Sequence, residues 1–163
     1  MARFLLMLIF FVPQFVLGQQ NVERVEQQYA KIKKKFTDVP DIEVARLAQL
    51  QPQSNLVFID VREPEEQAVS MIPGAVTAEE FERKREQFRE KTLVAYCTIG
   101  YRSGRFAKRW NERGFNGVNL AGGILAWTHE GRALETPSGN DTKRVHVYGR
   151  DWNYAPEGYI PVW

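Results

Sequence analysis

Cys97 is the only cysteine of the chain, and in CTIGYRS (97–103) an arginine follows it with four residues between. The run TLVAYC (92–97) reads as a strand, and SGRFAKRWNERG reads as a helix. CTIGYRS is then a tight turn from a strand end into a helix start. Such a turn points successive backbone N–H groups inward beneath the positive end of the helix, a nest that holds an anion. With the cysteine sulfur at its centre, the same N–H groups stabilise negative charge on sulfur without a histidine base. Gly100 relieves the steric cost of a strained backbone, and Arg102 adds a planar fork matched to tetrahedral or sulfo-anions. A free cysteine in isolation is more often a small buried hydrophobe. The position of Cys97, after a buried-type strand and before Gly, Arg and a helix start, favours a nucleophile. His129 and His146 are too few and too far apart in sequence for a metal site and read as structural or surface groups. Gly122 and Gly123 lack the pattern of a nucleotide loop and read as a turn packed near the cysteine loop. No cofactor or metal is expected.

The elements that must position this loop alternate. NLVFIDV (55–61) is a second strand of the same buried type, and IPGAV (72–76) and GVNLAGG (117–123) read as further short strands. TAEEFERKREQFREK is helical in composition. In the helix after the cysteine, Phe106, Ala107 and Trp110 share a face and Gly114 is placed to end it. Upstream, Val22, Val25, Tyr29, Ile32 and Phe36 recur at spacings of three and four, predicting an amphipathic helix from Asn21. DIEVARLAQL predicts a short helix with Asp41 as N-cap and Val44, Leu47 and Ala48 inward. Strands alternating with helices imply an α/β domain whose ligands bind outside the carboxyl ends of the strands, where Cys97 falls.

The stretch FIDVREPEEQ…SMIPGAV…LVAYCTIGYRSGRFAKRWNERGF…VNLAGGILAW resembles a rhodanese-like domain, the single-domain sulfurtransferase family. The resemblance runs from about Asp41 to Leu134 and rests on DVREPEE, IPGA, C-x-x-G-x-R-S and GG-x-x-AW in the family's order. It implies a five-stranded parallel sheet flanked by helices and a persulfide carried on Cys97 in a two-step transfer. Thr98, Ile99, Gly100, Tyr101 and Arg102 would form the cradle, Ser103 would cap the following helix, and Asp60 and Arg62 would support the loop from behind. Related phosphatases and arsenate reductases on this fold use one more residue between cysteine and arginine, so the shorter spacing here implies sulfur transfer. Two departures matter. Met71 stands before IPGA where the family usually has histidine, and Thr98 and Ile99 carry no charge. Arg102 and backbone amides are left to attract a donor such as thiosulfate, which opens the way to persulfides, polysulfides or a partner's persulfide.

Composition sets the remaining bounds. With 44% hydrophobic and 12% aromatic residues the chain can bury a core of its own. Its 22 Lys and Arg are nearly balanced by 20 Asp and Glu, and the sign alternates through EEFERKREQFREK without gathering into one basic face, which argues against nucleic acid as the main partner. Residues 1–18, MARFLLMLIFFVPQFVLG, have the layout of a secretory signal peptide: Arg3, an apolar run, then a small residue at Gly18. Pro13 and Gln14 interrupt the run short of the roughly 20 apolar residues a spanning helix needs. The expectation is export to the periplasm or outside the cell, with an uncleaved membrane anchor as the alternative. The domain plan is a leader at 1–18, a helix and linker at 19–40, a rhodanese-like domain at 41–136 and an aromatic extension at 137–163. In the extension, Trp152, Tyr154 and Tyr159 are expected to pack against the domain or shield an edge. The function expected is an exported sulfurtransferase moving sulfane sulfur from thiosulfate or a persulfide, through Cys97, to a thiol or a partner protein. A non-enzymatic binding or redox-sensing module on the same fold is the alternative.

Overall fold

The computed structural model of the chain describes residues 14–47, 49 and 55–163. Most of the expected leader, residues 1–13, lies outside the described residues, as does Ala48. Among the described residues no helix is long and apolar enough to cross a membrane.

The first helix, α1 (Gln14–Lys33), starts upstream of the expected Asn21. It buries Val25 and Tyr29 and leaves Ile32 half-buried, while Phe36 is buried in the turn beyond it. Asp41 does not cap a helix. Asp41–Ile42 form an edge strand, β1, and the helix that follows, α2 (Val44–Leu47), is a single turn. The reason is competition for the Asp41 carboxylate, which accepts from the Tyr29 hydroxyl at 3.0 Å and from Lys33 Nζ at 2.7 Å. It is therefore engaged with α1 and not with the amides downstream.

Then come β2 (Leu56–Asp60), α3 (Pro64–Val69), β3 (Val76–Thr77) and α4 (Ala78–Lys84), the last extended by a 3₁₀ turn, Arg85–Phe88. IPGAV is mostly turn, with only its last residue in β3, because Gly74 takes a φ of +73°. The domain continues through β4 (Thr92–Tyr96), α5 (Tyr101–Asn111), β5 (Asn116–Leu120) and α6 (Gly123–His129). Five strands form one parallel sheet in the order β1-β5-β4-β2-β3, with β4 at its centre.

The pleat of β4 divides the core. Val94 and Tyr96 point to the side covered by α6 and α1, where Val25, Leu120, Ile124 and Leu125 pack. Leu93 and Ala95 point to the other side, against Phe81 of α4 and Phe106 and Trp110 of α5. Both faces are covered, so β4 is buried from Leu93 to Tyr96 and its carboxyl end, with Cys97, opens onto one rim.

Residues 137–163 add to the first of these layers. β6 (Leu134–Glu135) pairs antiparallel with β7 (Asp141–Thr142), and β8 (Arg144–His146) pairs parallel with β9 (Ile160–Val162). Val145 and Val147 are fully buried, and Trp152, Tyr154 and Tyr159 pack half-buried on the same core as Ile124 and Leu125. Tyr159 donates its hydroxyl to the Arg132 carbonyl, and His129 Nε2 donates to the Tyr154 carbonyl at 2.8 Å. Burial holds the His129 imidazole below its ordinary value despite that hydrogen bond. His146 is lowered as well, by burial against the opposing charge of Glu66.

Two outcomes follow from this packing. Deleting 141–163 removes two fully buried valines and three packed aromatics and should lower the melting midpoint by about 10 °C or more, read by circular dichroism. Both histidines bind protons more tightly in the unfolded chain than in the folded one, so stability should fall as pH drops below about 6.5. His129→Gln should flatten that fall in pH-resolved melts, leaving the part that belongs to His146.

Candidate active site

Cys97 directly follows the last residue of the central strand and is buried, with 2% of its surface exposed. Gly100, at φ +119°, turns the chain into α5 and donates its N–H to Cys97 Sγ at 3.1 Å. The Ser103 hydroxyl donates to the same sulfur at 3.5 Å. Ser103 therefore does not cap the helix as expected. Gly100 holds the N-cap position, which places Ser103 in the first turn, where its side chain reaches back to the sulfur. Two donors and the positive end of an eleven-residue helix converge on Sγ, the arrangement that holds charge on sulfur.

The loop takes this shape because its carbonyls are turned away from the sulfur. Ile124 N donates to the Cys97 carbonyl at 2.9 Å and Leu125 N to the Thr98 carbonyl at 3.3 Å, so the first turn of α6 binds the loop's acceptors. Gly123 makes the approach possible: a Cβ there would strike the Cys97 carbonyl oxygen and sit 2.8 Å from the Thr98 carbonyl, on a backbone at φ +58°. On the other side, Asn119 Nδ2 donates to the Gly100 carbonyl at 2.9 Å, and the Tyr29 ring lies where a Gly100 Cβ would be, 2.6 Å away. Tyr29 stays a neutral donor, its hydroxyl pushed well up by burial and by the adjacent Asp41 carboxylate.

Asp60 and Arg62 form a fully buried ion pair at 2.7 Å. Tyr96 donates its hydroxyl to Asp60 Oδ2 at 2.7 Å and accepts from Ile72 N at 3.1 Å, and Arg62 Nη2 also donates to the Ser70 carbonyl. Arg62 Nη1 lacks a hydrogen-bond partner among the described residues, but the guanidinium carbon lies 5.7 Å from the centre of the Tyr96 ring. This network fastens the ends of β2 and β4 to the 70–72 turn, so it carries the residue that precedes Cys97. Met71, in the place of the family's histidine, contributes only backbone here, in a bridge to Glu135.

Arg102 is placed differently from the sequence expectation. Its fork does not stand open toward an anion. Nη1 and Nη2 donate to Glu66 at 2.5 and 2.8 Å, Nη2 also donates to Thr98 Oγ1 at 3.2 Å, and Glu63 lies 3.9 Å away. Thr98 Oγ1 in turn donates to Glu66 at 3.1 Å. Burial raises the Glu66 carboxyl, but the Arg102 hydrogen bonds outweigh it and hold the group below the usual carboxylate range. Burial likewise pulls the Arg102 guanidinium down, and Glu66 and the Cys97 sulfur more than reverse it.

Three residues at the rim, Glu66, His146 and Tyr148, have no site role in the sequence reading, and a fourth, Trp152, is expected there only to pack against the domain or shield an edge. Glu66 lies inside DVREPEE, and its signal is the Pro64-Glu65-Glu66 start of α3, where Glu66 accepts from Glu63 N at 3.0 Å. His146 was set aside, yet β8 brings its Nδ1 to 3.7 Å from Glu66. Tyr148 stands at φ +73° with its N–H on His146 Nδ1 at 3.1 Å, and its ring lies 5.8 Å from the Arg102 guanidinium. A non-glycine residue in that region costs energy and persists only where its surroundings over-determine it. Trp152 meets the Tyr148 ring edge-on at 6.3 Å. Of the cradle residues, Cys97, Thr98, Ile99, Gly100 and Ser103 are buried, while Tyr101 is 42% exposed at the outer edge, against Phe36. Cys97 opens into a cavity of about 290 Å³ walled by Ile32, Ile99, Tyr101, Tyr148 and Trp152, with Arg102 at its polar edge.

A doubly covered parallel sheet with a cysteine loop at the end of its central strand is the architecture of a rhodanese domain. The family profile "Rhodanese-like domain" matches residues 43–130, and the chain belongs to that family. It is 37% identical over 97 residues to YtwF of Bacillus subtilis, provisionally named a sulfurtransferase, covering 57% of this chain and 94% of that one. It is 32% identical over 106 residues to a sulfurtransferase of Allochromatium vinosum, covering 62% of this chain and 99% of the relative. Among solved structures, a rhodanese-like domain protein of Staphylococcus aureus superposes with a TM-score of 0.51 at 26% identity, covering 60% of this chain and 98% of that one. Family and relatives together support sulfurtransferase activity in the general sense.

The Gly123 contact is directly testable. Gly123→Ala should cost about 2 kcal/mol or more in urea unfolding, from strain at positive φ and displacement of the Cys97 carbonyl. The same variant should lose most of any reaction at Cys97.

Proposed function

We propose that the protein is an exported sulfurtransferase that takes sulfane sulfur from thiosulfate or a persulfide onto Cys97 and passes it to a thiol. The observation that carries this reading is the pair of donors on Cys97 Sγ, Gly100 N–H at 3.1 Å and Ser103 Oγ at 3.5 Å, in a loop with four residues between cysteine and arginine. Sulfurtransferase-named relatives covered nearly end to end support it. Export is supported by the leader-like pattern of residues 1–18.

In the first half-reaction the Cys97 thiolate bonds to the outer sulfur of the donor. The donor's S–S bond breaks, and its electron pair leaves with sulfite or with the donor thiolate. Cys97 now carries one extra sulfur, and the charge on that sulfur replaces the thiolate charge beside the loop's donors. In the second half-reaction an acceptor thiolate attacks the outer sulfur, the Cys97–S bond breaks, and its pair restores the Cys97 thiolate. Sulfur moves with no net oxidation, so no redox cofactor enters the balance. Ser103 and Gly100 stabilise the sulfur anion, α6 fixes the loop, and the Asp60–Arg62–Tyr96 network fixes the strand end.

Incubation with thiosulfate or a persulfide, followed by intact mass under non-reducing conditions, should show one added sulfur on the wild type and none on Cys97→Ser. Absence of the adduct with every donor would overturn the reading. A glutathione adduct or a reducible dimer in its place would assign the cysteine to redox sensing. Ser103→Ala should retain the adduct but slow its formation by roughly tenfold, the effect of removing one donor from a sulfur anion.

A further inference from the structure

Resting on that reading, we infer that the sulfur donor is a small persulfide with an apolar organic group, and that the C-terminal extension selects it over thiosulfate. The reaction geometry sets where each part of a donor must lie. The attacked sulfur enters the cradle beside Gly100 and Ser103, and the leaving group, in line behind it, occupies the space in front of Cys97. That space is the cavity of about 290 Å³ walled by Ile32, Ile99, Tyr101, Tyr148 and Trp152. It lies at the small end of ligand pockets and has the apolar walls that bind an alkyl or aryl group.

A sulfonate leaving group would find poor compensation there. Thiosulfate's sulfonate oxygens, which carry much of its charge, would lie in the apolar space, and a buried anion needs a cation whose charge is not already matched. Arg102, at the polar edge, already donates both Nη atoms to Glu66 and has Glu63 at 3.9 Å. The Tyr148 ring lies 5.8 Å from the same guanidinium. Lys35 lies 5.3 Å from the centre of the Tyr101 ring, against the outer wall. A persulfide R–S–SH differs in what it places in the apolar space: its R group carries no charge, and the charge of the departing thiolate forms on the sulfur next to the cradle.

The step balances without an added reagent. The Cys97 thiolate bonds to the outer sulfur of R–S–SH, the R–S to S bond breaks, and the electron pair departs with R–S⁻. The proton stays on the transferred sulfur, giving Cys97–S–SH.

The backbone geometry of the extension supports a built wall and not an incidental contact. Tyr148 is the only non-glycine residue at positive φ among the described residues, held by its N–H on His146 Nδ1. It is 64% exposed, so the strained backbone is not repaid by burial of its own ring. What the conformation does achieve is to set that ring over Arg102 and edge-on to Trp152, closing one side of the cavity.

The test compares benzyl persulfide, 2-sulfoethyl persulfide and thiosulfate at equal concentration on the full chain, reading the rate of sulfur addition to Cys97 by intact mass. Benzyl persulfide should load Cys97 at least roughly tenfold faster than either sulfonate-bearing donor, the discrimination an apolar pocket provides. In Trp152→Ala the ratio of benzyl to 2-sulfoethyl rates should fall to about threefold or less, and Tyr148→Ala, at an exposed position, should lower it too if Trp152→Ala does not fold. Glu66→Gln releases Arg102 and should raise the thiosulfate rate severalfold. Loading by thiosulfate or 2-sulfoethyl persulfide as fast as by benzyl persulfide, or a ratio unmoved by both aromatic variants, would overturn the inference while leaving sulfur transfer at Cys97 intact. Loading by no donor would overturn the transferase reading itself.

Discussion

The first amides of α6 hold the carbonyls of Cys97 and Thr98, and the rest of the site follows from that contact. A loop of this length has both donors and acceptors to satisfy, and each acceptor bound elsewhere leaves the space at the sulfur to donors. With the two carbonyls engaged by Ile124 and Leu125, Gly100 N–H and the Ser103 hydroxyl are what Cys97 Sγ meets. The contact is close because Gly123 has no side chain; a Cβ at that position would clash with the Cys97 carbonyl oxygen. The glycine of α6 is thus as much a part of the cysteine loop as the glycine within it.

Behind this contact the domain supplies rigidity from both sides. The buried Asp60–Arg62 pair and the Tyr96 hydroxyl tie β2, β4 and the 70–72 turn together directly beneath Cys97. Such a pair adds little net stability compared with apolar residues, but breaking it by removing one partner leaves a buried charge, at a cost of about 3–5 kcal/mol. From the other side α1 brings Tyr29 against Gly100, and Asp41 and Asn119 fix that ring's hydroxyl end. The N-terminal helix therefore buttresses the loop, which explains why the hydroxyl of a core tyrosine is hydrogen-bonded at the start of the edge strand.

The C-terminal extension alters the character of the site without a hydrogen bond to the Cys97 sulfur among the described residues. Val145 and Val147 anchor it in the main core, and from there His146, Tyr148 and Trp152 reach the rim. Arg102, Glu66, Thr98 and His146 make one connected polar edge, and the aromatic rings make an apolar wall opposite the sulfur. A positive charge that would stand open in a bare loop is here matched by a carboxylate held ionised.

Much of this was legible in the sequence because it is local. Short continuous apolar runs marked β2 and β4, three-and-four spacing marked α1, and the strand–CTIGYRS–helix order placed Cys97 and Gly100 at a junction where backbone amides gather. The resemblance in DVREPEE and GG-x-x-AW pointed to the residues that sit behind and beside the loop. Asp41 was misread because capping and strand pairing draw on the same short polar signal, and the choice was made by Tyr29 and Lys33, twelve and eight residues away. Ser103 was misread by three positions because Gly100's positive φ starts the helix earlier than composition suggests. Glu66 on Arg102, Tyr148 on that same guanidinium and Trp152 across the cavity from Cys97 join segments 36, 46 and 55 residues apart, and no periodicity records such meetings. The sequence by itself determined the place of Cys97 at a strand end, the sheet that carries it and the turn that surrounds it, since each depends on near neighbours along the chain. The tertiary structure alone decided whether Arg102 is free and what lines the approach to the sulfur, because charge pairing and cavity walls depend on which distant segments the shared core brings together.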